Sequence, residues 1–404
     1  MRVLFVTGEY PSMQGGVGDY TRMLSRALGA LGVDVHVLTH ADAGDDYLRH
    51  PADPFDPTVH PMLTSTNWSL WSAVSYWRRR IAPDVLHIQY QSAAYRLHPA
   101  INLLPWRLRA SRPRPLVCTT FHDLRVPYLF PKAGPLRRQA VLALARGSDL
   151  DIVTNLSDWR VLADAGLGAR LRPIPIGSNI VCQLPASYDR AQRRASWGAG
   201  PGDMLLAYFG FLNRSKGGET LMRTLHHLVC GGHPAHLLMV GGQVGSSDPT
   251  NIAYLERVRS LIVELGLGDR VHWTGFTSPE EVSINLKACD CALLPYVEGA
   301  SLRHGSLMAA FAHGLPVVTT VLDSAGGPGD DSAGDIFPRL RDGVSALLVP
   351  PEDPARLAGA VARLMSESEL RAALSEGARQ LARRFAWESI ASSHLEAYRG
   401  RLSV

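Results

Sequence analysis

The sequence predicts two α/β domains of similar size, each a doubly wound parallel sheet. Three observations carry that prediction. The chain has 404 residues, too many for one ordinary core and suited to two. Short apolar runs alternate with stretches of helical periodicity along nearly the whole length, the pattern of parallel strands joined by right-handed crossovers. The alternation breaks once, around 182–202, into Leu-Pro-Ala-Ser, a charged stretch and Gly-Ala-Gly-Pro-Gly, and then restarts.

In chain order, Val3 to Val6 is a continuous apolar run, as a strand buried on both faces requires. Gly15, Gly16 and Gly18 follow, and then Leu24, Ala27, Leu28 and Leu31 recur on one helical face until Gly32. Further strands are expected at Val33–Leu38, Val85–Ile88, Leu116–Thr120, Ile152–Thr154 and Leu171–Ile176, with helices such as Leu136–Ala145 and Asp158–Ala163 between. The second set of strands comprises Met204–Tyr208, Ala235–Val240, Val271–Thr274, Cys291–Leu294, Val317–Thr320 and Ala346–Val349. Leu221, Leu225 and Leu228, then Leu255, Val258, Ile262 and Leu265, mark intervening helices, and a long amphipathic helix from Trp387 to Leu402 closes the chain. The expected layout is an N-terminal domain at 1–184, a linker at 185–202, a C-terminal domain at 203–385, and a last helix at 386–404 crossing back to the first domain. Ligands of such sheets bind beyond the carboxyl ends of the strands, here in a cleft expected between the domains.

Composition is that of a globular protein, 46% hydrophobic and 19% charged. No run reaches the roughly 18 apolar residues of a membrane-spanning helix, and the N-terminal apolar run is too short for a secretory leader. The five cysteines are odd in number and lack paired CxxC spacing, which argues against a disulfide framework or a zinc site and for a reducing cytoplasm. Residues 1–184 carry 20 Lys+Arg against 14 Asp+Glu, a balance of +6, and the remainder 21 against 23, a balance of −2. The excess is local. Eight arginines between Arg78 and Arg114 face only Asp84, whereas a nucleic-acid binder shows a domain-wide basic bias. Trp68, Trp71, Trp77 and Trp106 interleave with those arginines. Such a run is more often a solvated face with its tryptophans in the core. The other reading is peripheral contact with an anionic membrane, at its inner face for a cytoplasmic protein.

Four constellations bear on chemistry. Glycines between a strand and a helix, as at Gly15-Gly16-Val-Gly18, let a ligand approach the backbone and the helix N-terminus, although a plain connecting loop needs the same residues. His122-Asp123, after the strand Leu116–Thr120, stands where a cleft is expected, and its imidazole suits a sugar hydroxyl or developing charge, as neutral or charged donor. Gly210-Phe-Leu-Asn-Arg214-Ser-Lys216-Gly-Gly offers two cations between a strand and a helix. Ser301-Leu-Arg303-His-Gly305-Ser306 leads into a helix from Leu307 to His313, with Gly305-Ser306 as its cap, Gly314 as its stop and Pro316 beyond. An anion held by both Lys216 and this helix is expected to be a diphosphate.

At these residues the chain resembles glycosyltransferase family 4, retaining enzymes of the GT-B fold with two Rossmann-like domains. The likeness runs through the Gly15-Gly16 loop, His122-Asp123, Lys216-Gly217, the helix ending in Gly314-Leu-Pro-Val-Val, Asp342-Gly-Val-Ser-Ala-Leu-Leu-Val-Pro-Pro and Phe385-Ala-Trp387-Glu. The resemblance implies transfer of a hexosyl unit from a UDP- or GDP-sugar to an acceptor hydroxyl, with retention and with no metal or other cofactor. His122 and Lys216 are its implied catalytic residues. Gly15 and Gly16 would lie under the pyrophosphate and sugar, and backbone near Gly275 and Phe276 would hold the base. Arg214, Glu298, Ser301, Arg303, Gly305 and Ser306 complete the candidate donor site, and Asp123 and Gly18 are candidates on the acceptor side. The acceptor itself stays open among glycans, lipid-linked sugars and small molecules.

Two departures from the family pattern stand out. Phe211 occupies the place of an arginine five residues before the loop lysine, with Arg214 as a candidate substitute. Ala309 and Ser301 occupy the places of two glutamates, the second of which grips the ribose in the family. These departures keep open a catalytically silent nucleotide-sugar binder that serves as a subunit or regulator. An epimerase or phosphorylase on the same fold also stays open. A dinucleotide oxidoreductase fits poorly, because the first loop lacks GxGxxG and the second strand ends Leu38-Thr39-His40 with no acidic ribose ligand.

Overall fold

The computed structural model describes residues 1–13, 15–43, 54–124, 134–242, 249–322 and 337–403. It divides into two compact units, Met1–Gly177 with Ala386–Val404, and Ser178–Phe385. Each is built around one all-parallel sheet.

The strands of the first unit are β1 (Arg2–Thr7), β2 (Asp34–His40), β3 (Thr58–Leu63), β4 (Val85–Gln91), β5 (Leu116–Asp123), β6 (Leu150–Val153) and β7 (Leu171–Pro173). Their order across the sheet is β3-β2-β1-β4-β5-β6-β7. Helices α1 (Gly16–Ala30), α2 (Ser69–Ile81), α3 (Ala100–Leu108), α4 (Gly134–Gly147) and α5 (Leu156–Leu162) intervene. Val3, Leu4, Phe5 and Val6 are fully buried, as a central parallel strand demands. The periodicity did not reveal β3, because Pro61 interrupts it. Proline is tolerated there since β3 is an edge strand. Leu31, counted on the apolar face of α1, lies beyond its end and is exposed.

The second unit contains α6 (Arg190–Ser196), β8 (Met204–Phe209), α7 (Gly218–Cys230), β9 (Ala235–Val240), α8 (Pro249–Glu264), β10 (Val271–Trp273), α9 (Pro279–Ala288), β11 (Cys291–Leu294), α10 (Gly305–Ala312), β12 (Val317–Thr320), β13 (Leu347–Val349), α11 (Pro354–Ser366) and α12 (Ser368–Arg383). Its sheet runs β10-β9-β8-β11-β12-β13. In both sheets the first strand of the unit lies between its second and its fourth, so the winding reverses there and a crevice opens at the carboxyl ends.

The stretch 185–202, expected as a linker, is different in the structure. It carries α6, whose buried Arg194 donates to Asp290 at 2.7 Å and to the Asp203 carbonyl at 2.6 Å. Those bonds tie it to the second unit. The last helix, α13 (Trp387–Leu402), packs in the first unit, burying Trp387, Ile390, Ala391, His394, Leu395 and Tyr398. That i, i+3, i+4 stripe lies against α1 and the sheet. Among the described residues no helix is long and apolar enough to cross a membrane. The five cysteines are free, Cys118, Cys289 and Cys291 buried, Cys182 and Cys230 exposed.

Candidate active site

In the second unit the candidate residues converge where β8 and β11 emerge. After β8 the chain makes a short 3-10 turn, Arg214–Lys216, capped by Asn213, whose Oδ1 accepts from the Lys216 amide at 3.2 Å and from Ser215 Oγ at 2.8 Å. Buried Leu212 anchors the turn. Gly217 then takes φ +70°, and a Cβ there would stand 2.0 Å from the Pro295 carbonyl oxygen. Only glycine fits both the left-handed backbone and that approach. The Val297 amide donates to the Ser215 carbonyl at 2.9 Å, locking the loop after β8 to the loop after β11.

This lock brings Lys216 over Tyr296. The ammonium is 4.7 Å from the ring centroid, a cation–π distance, and the Tyr296 hydroxyl meets Ser306 Oγ at 2.7 Å. His304 stacks on the same ring at 3.9 Å between centroids. Lys216 is half-buried and burial pulls its pKa down. No ion pair joins it to a carboxylate among the described residues. Burial, then the charges of Lys216 and Arg303, push His304 down to about 3, so that ring is neutral. A desolvated cation without a counter-charge is costly to the free protein, and an anion placed here relieves the cost.

The helix cap differs from expectation. The N-cap of α10 is His304, with no side-chain bond to the helix, and the helix starts at Gly305. Ser306 Oγ is spent on Tyr296 instead. The first-turn amides of α10, which lack intrahelical partners, nevertheless start beside Lys216. Ser301 Oγ accepts from the Arg303 amide at 3.4 Å, and the Ser301 amide donates to His304 Nδ1 at 3.2 Å. Glu298 is exposed in the preceding turn. Ala309 is fully buried in the core and offers nothing to a ribose. Phe211 is 46% exposed and leans on Gly242, where a Cβ would meet its ring at 2.6 Å. Arg214 is exposed on the turn. Gly275 bridges Gly241 with φ +69°, and Phe276 beside it is 86% exposed.

In the first unit His122 is the last residue but one of β5. The strand is longer than the expected Leu116–Thr120 and includes His122 and Asp123. Its register with β4 pairs Tyr90 with Phe121 and Gln91 with Asp123, leaving His122 as the extra residue of a bulge. Bulges re-aim side chains beside functional sites. His122 is nearly buried, and that burial, with His394 nearby, lowers its pKa to about 3. The ring is therefore neutral at physiological pH, which removes the charged form from the two considered for it. Its Nε2 lies 2.7 Å from Gln89 Oε1, and the Tyr20 ring meets it edge-on at 4.7 Å.

The glycine loop is also not as expected. The Glu9 carboxylate accepts from the amides of Val17 at 2.9 Å and Gly18 at 3.3 Å. It thereby takes the anion position at the start of α1 that the loop was expected to offer a phosphate. A Cβ at Gly15 would sit 2.3 Å from that carboxylate and displace it, whereas Gly16 has open space. Asp123 is half-buried. Sequence reading missed Glu9, Gln89, Tyr296 and His304. Only Gln89 left a signal: with His87 it puts polar side chains two apart inside a strand whose burial runs unbroken from Val85 to Tyr90.

The tryptophan–arginine segment is split. Trp71 donates to the Ala100 carbonyl at 2.9 Å and Trp77 packs on His60; Arg78 is buried and Arg114 pairs with Asp149. Trp68, Tyr76 and Trp106 stay about half exposed, with Arg79, Arg80 and Arg107 exposed near them in sequence.

Known proteins similar to this chain share one family. The family model described as Glycosyltransferase Family 4 matches residues 14–180, and that described as Glycosyl transferases group 1 matches 189–381. A D-inositol 3-phosphate glycosyltransferase of Acidothermus cellulolyticus is 30% identical over 96% of this chain and 86% of its own. A GDP-mannose-dependent alpha-(1-6)-phosphatidylinositol monomannoside mannosyltransferase of Mycobacterium tuberculosis is 26% identical over 99% and 98%. Among solved structures, sucrose-phosphate synthase from Thermosynechococcus elongatus superposes with a TM-score of 0.70 at 22% identity, covering 99% of this chain and 98% of that one. HepE of Anabaena, solved with UDP and glucose, gives 0.71 at 19%, covering 99% and 100%.

Proposed function

Because the chain belongs to glycosyltransferase family 4 and is a hexosyltransferase of the GT-B fold, we propose that it transfers a hexosyl unit from a UDP- or GDP-sugar with retention of anomeric configuration. One observation carries the donor side. The half-buried, unneutralised Lys216 ammonium stands beside the start of α10, at the reversal point of the second sheet. A diphosphate supplies two adjoining groups of negative charge, one for the ammonium and one for the free amides of a helix N-terminus.

In this reading Lys216 and Arg303 take up the charge that develops on the leaving diphosphate. The leaving phosphate oxygen accepts the proton of the incoming hydroxyl as the new bond forms on the same face. No paired carboxylates of the glycosidase kind are involved, and no metal is called on. Phe276 and the Gly241–Gly275 bridge support a base-holding role, and Arg214 takes the place of the missing arginine. With Ala309 in the core, grip on the ribose falls to the Ser301–Arg303 turn. Neutral His122 meets a hydroxyl of the transferred sugar, and Asp123 lies on the acceptor side. The exposed Trp68, Trp106 and neighbouring arginines support peripheral contact with an anionic membrane. The relatives' substrates, an inositol phosphate and a phosphatidylinositol mannoside by name, support a phosphorylated or lipid-linked acceptor.

Calorimetric titration with UDP, GDP and their hexose conjugates tests the core of the proposal. Wild-type protein should bind at least one of them, and Lys216→Met should lose that binding. A wild-type protein that binds none refutes it. NMR of the product's anomeric signal tests retention, and unchanged turnover in EDTA is expected.

A further inference from the structure

Gln89 lies fully buried on β4, no role has been given to it above, and its side chain reaches the candidate catalytic ring. We infer that Gln89 is a positioning residue: its carbonyl accepts the Nε2 proton of His122 and so leaves the Nδ1 edge as a hydrogen-bond acceptor for a hydroxyl of the transferred sugar. The second half of this statement rests on the proposed donor reading; the first does not.

The geometry has three parts. The bulge at His122 turns the ring out of the regular alternation of β5. Gln89 then meets Nε2 at 2.7 Å, a full-strength hydrogen-bond length. Tyr20 holds the ring edge-on, and its hydroxyl lies 3.4 Å from His394 Nε2, so α13 backs the arrangement from behind. A neutral imidazole has one N–H, and if Nε2 spends it on Gln89, Nδ1 carries a lone pair. Among the described residues Nδ1 has no partner, and it is not one of the fully enclosed unpartnered atoms, which makes it the edge open to a ligand. The neutrality of the ring follows from its burial.

Gln89 Nε2 is enclosed and unpartnered. Turning the amide over would exchange that orphan for a carbonyl and would make Gln89 the donor, with the proton on Nδ1. The two arrangements give His122 opposite roles toward a sugar, and they are separable by experiment.

Long-range proton–nitrogen correlation spectra of the full chain, labelled with nitrogen-15 histidine, read the tautomer directly. His122 is assigned by the signal lost in His122→Asn. The inference expects the Nε2-protonated form in the wild type. It expects the same form in Gln89→Glu, which can still accept, and a mixed or reversed form in Gln89→Met, which cannot. Turnover of UDP-glucose, UDP-N-acetylglucosamine or GDP-mannose should fall about ten- to a hundredfold in Gln89→Met. Affinity for free UDP or GDP, which lack the sugar, should hold. A wild-type ring protonated on Nδ1 overturns the inference. A tautomer set by Gln89 with turnover indifferent to Gln89→Met overturns the sugar contact alone, so failure of the positioning claim and failure of the donor reading are distinguishable.

Discussion

The Lys216 ammonium sits 4.7 Å from the centre of the Tyr296 ring, and that ring's hydroxyl holds Ser306. One aromatic side chain thus ties the cation from the loop after β8 to the first turn of α10. The ring face gives the ammonium partial compensation but no counter-charge, so the site is built for an anion it does not itself contain.

Removing the cation should therefore separate stability from binding. Lys216→Met is expected to raise the melting temperature of the free protein and to weaken nucleoside diphosphate binding about 10- to 150-fold, the equivalent of losing a charged hydrogen bond of about 1.5–3 kcal/mol. The folded-state pKa lies below the unfolded one. The cost to the free protein is thus full below the folded pKa and fades as pH rises toward the unfolded value. Wild-type affinity should fall as pH rises through that lowered pKa, and calorimetry of Lys216→Arg should show no such alkaline limb.

Gly217→Ala tests the lock between the two loops. Its Cβ would meet the Pro295 oxygen at 2.0 Å in a left-handed backbone. Backbone strain alone costs about 1–3 kcal/mol, and the clash adds to it. Chemical denaturation should show a loss at least that large, together with impaired diphosphate binding. A variant of wild-type stability and affinity would mean that the approach is not tight.

Glu9→Ala removes the carboxylate that caps α1 through Val17 and Gly18. A lost cap costs about 0.5–2 kcal/mol, and Glu9→Gln, which keeps an acceptor, should recover part of it in urea melts.

Asp151 is fully buried on β6 with both carboxyl oxygens unpartnered. Burial pushes its pKa well up, against the pull of Arg170 and Arg401. A carboxyl whose folded pKa exceeds its unfolded value of about 3.9 costs nothing below that unfolded value. Above it the cost grows until the folded pKa is passed. Asp151→Leu should stabilise the protein by about 1–3 kcal/mol through loss of the unsatisfied group. The gain should be smaller at pH 4 than at pH 8; a gain independent of pH would show that the carboxyl is not strained.

Vesicle co-sedimentation tests the surface of α2 and α3. Recovery with anionic vesicles should exceed that with neutral ones, decline with salt, and drop in Trp68→Ala/Trp106→Ala. Equal recovery with neutral vesicles rejects membrane contact.

Most strands were legible because a parallel strand buried on both faces needs an unbroken apolar run, as in Val3–Val6 and Cys291–Leu294. Edge strand β3 was not legible, since its outer face is free to hold Pro61. Helix α6 was hidden among the polar residues of 185–202, because the arginines that bury it find their partners nearly a hundred residues away, at Glu281, Asn285 and Asp290.

The amino-acid order alone determined the doubly wound class, the glycine positions and the candidates His122 and Lys216, all of which depend on local pattern and on which residue types tolerate a turn or carry a charge. Tertiary structure decided what those residues can do. Burial made His122 neutral, Lys216 came to rest on Tyr296 with no carboxylate partner among the described residues, a bulge and Gln89 set the direction of the imidazole, and Glu9 took the helix terminus that the glycine loop had promised to a phosphate. Charge state and hydrogen-bond partner depend on solvent exclusion and on neighbours distant in the chain, and neither has a local signature.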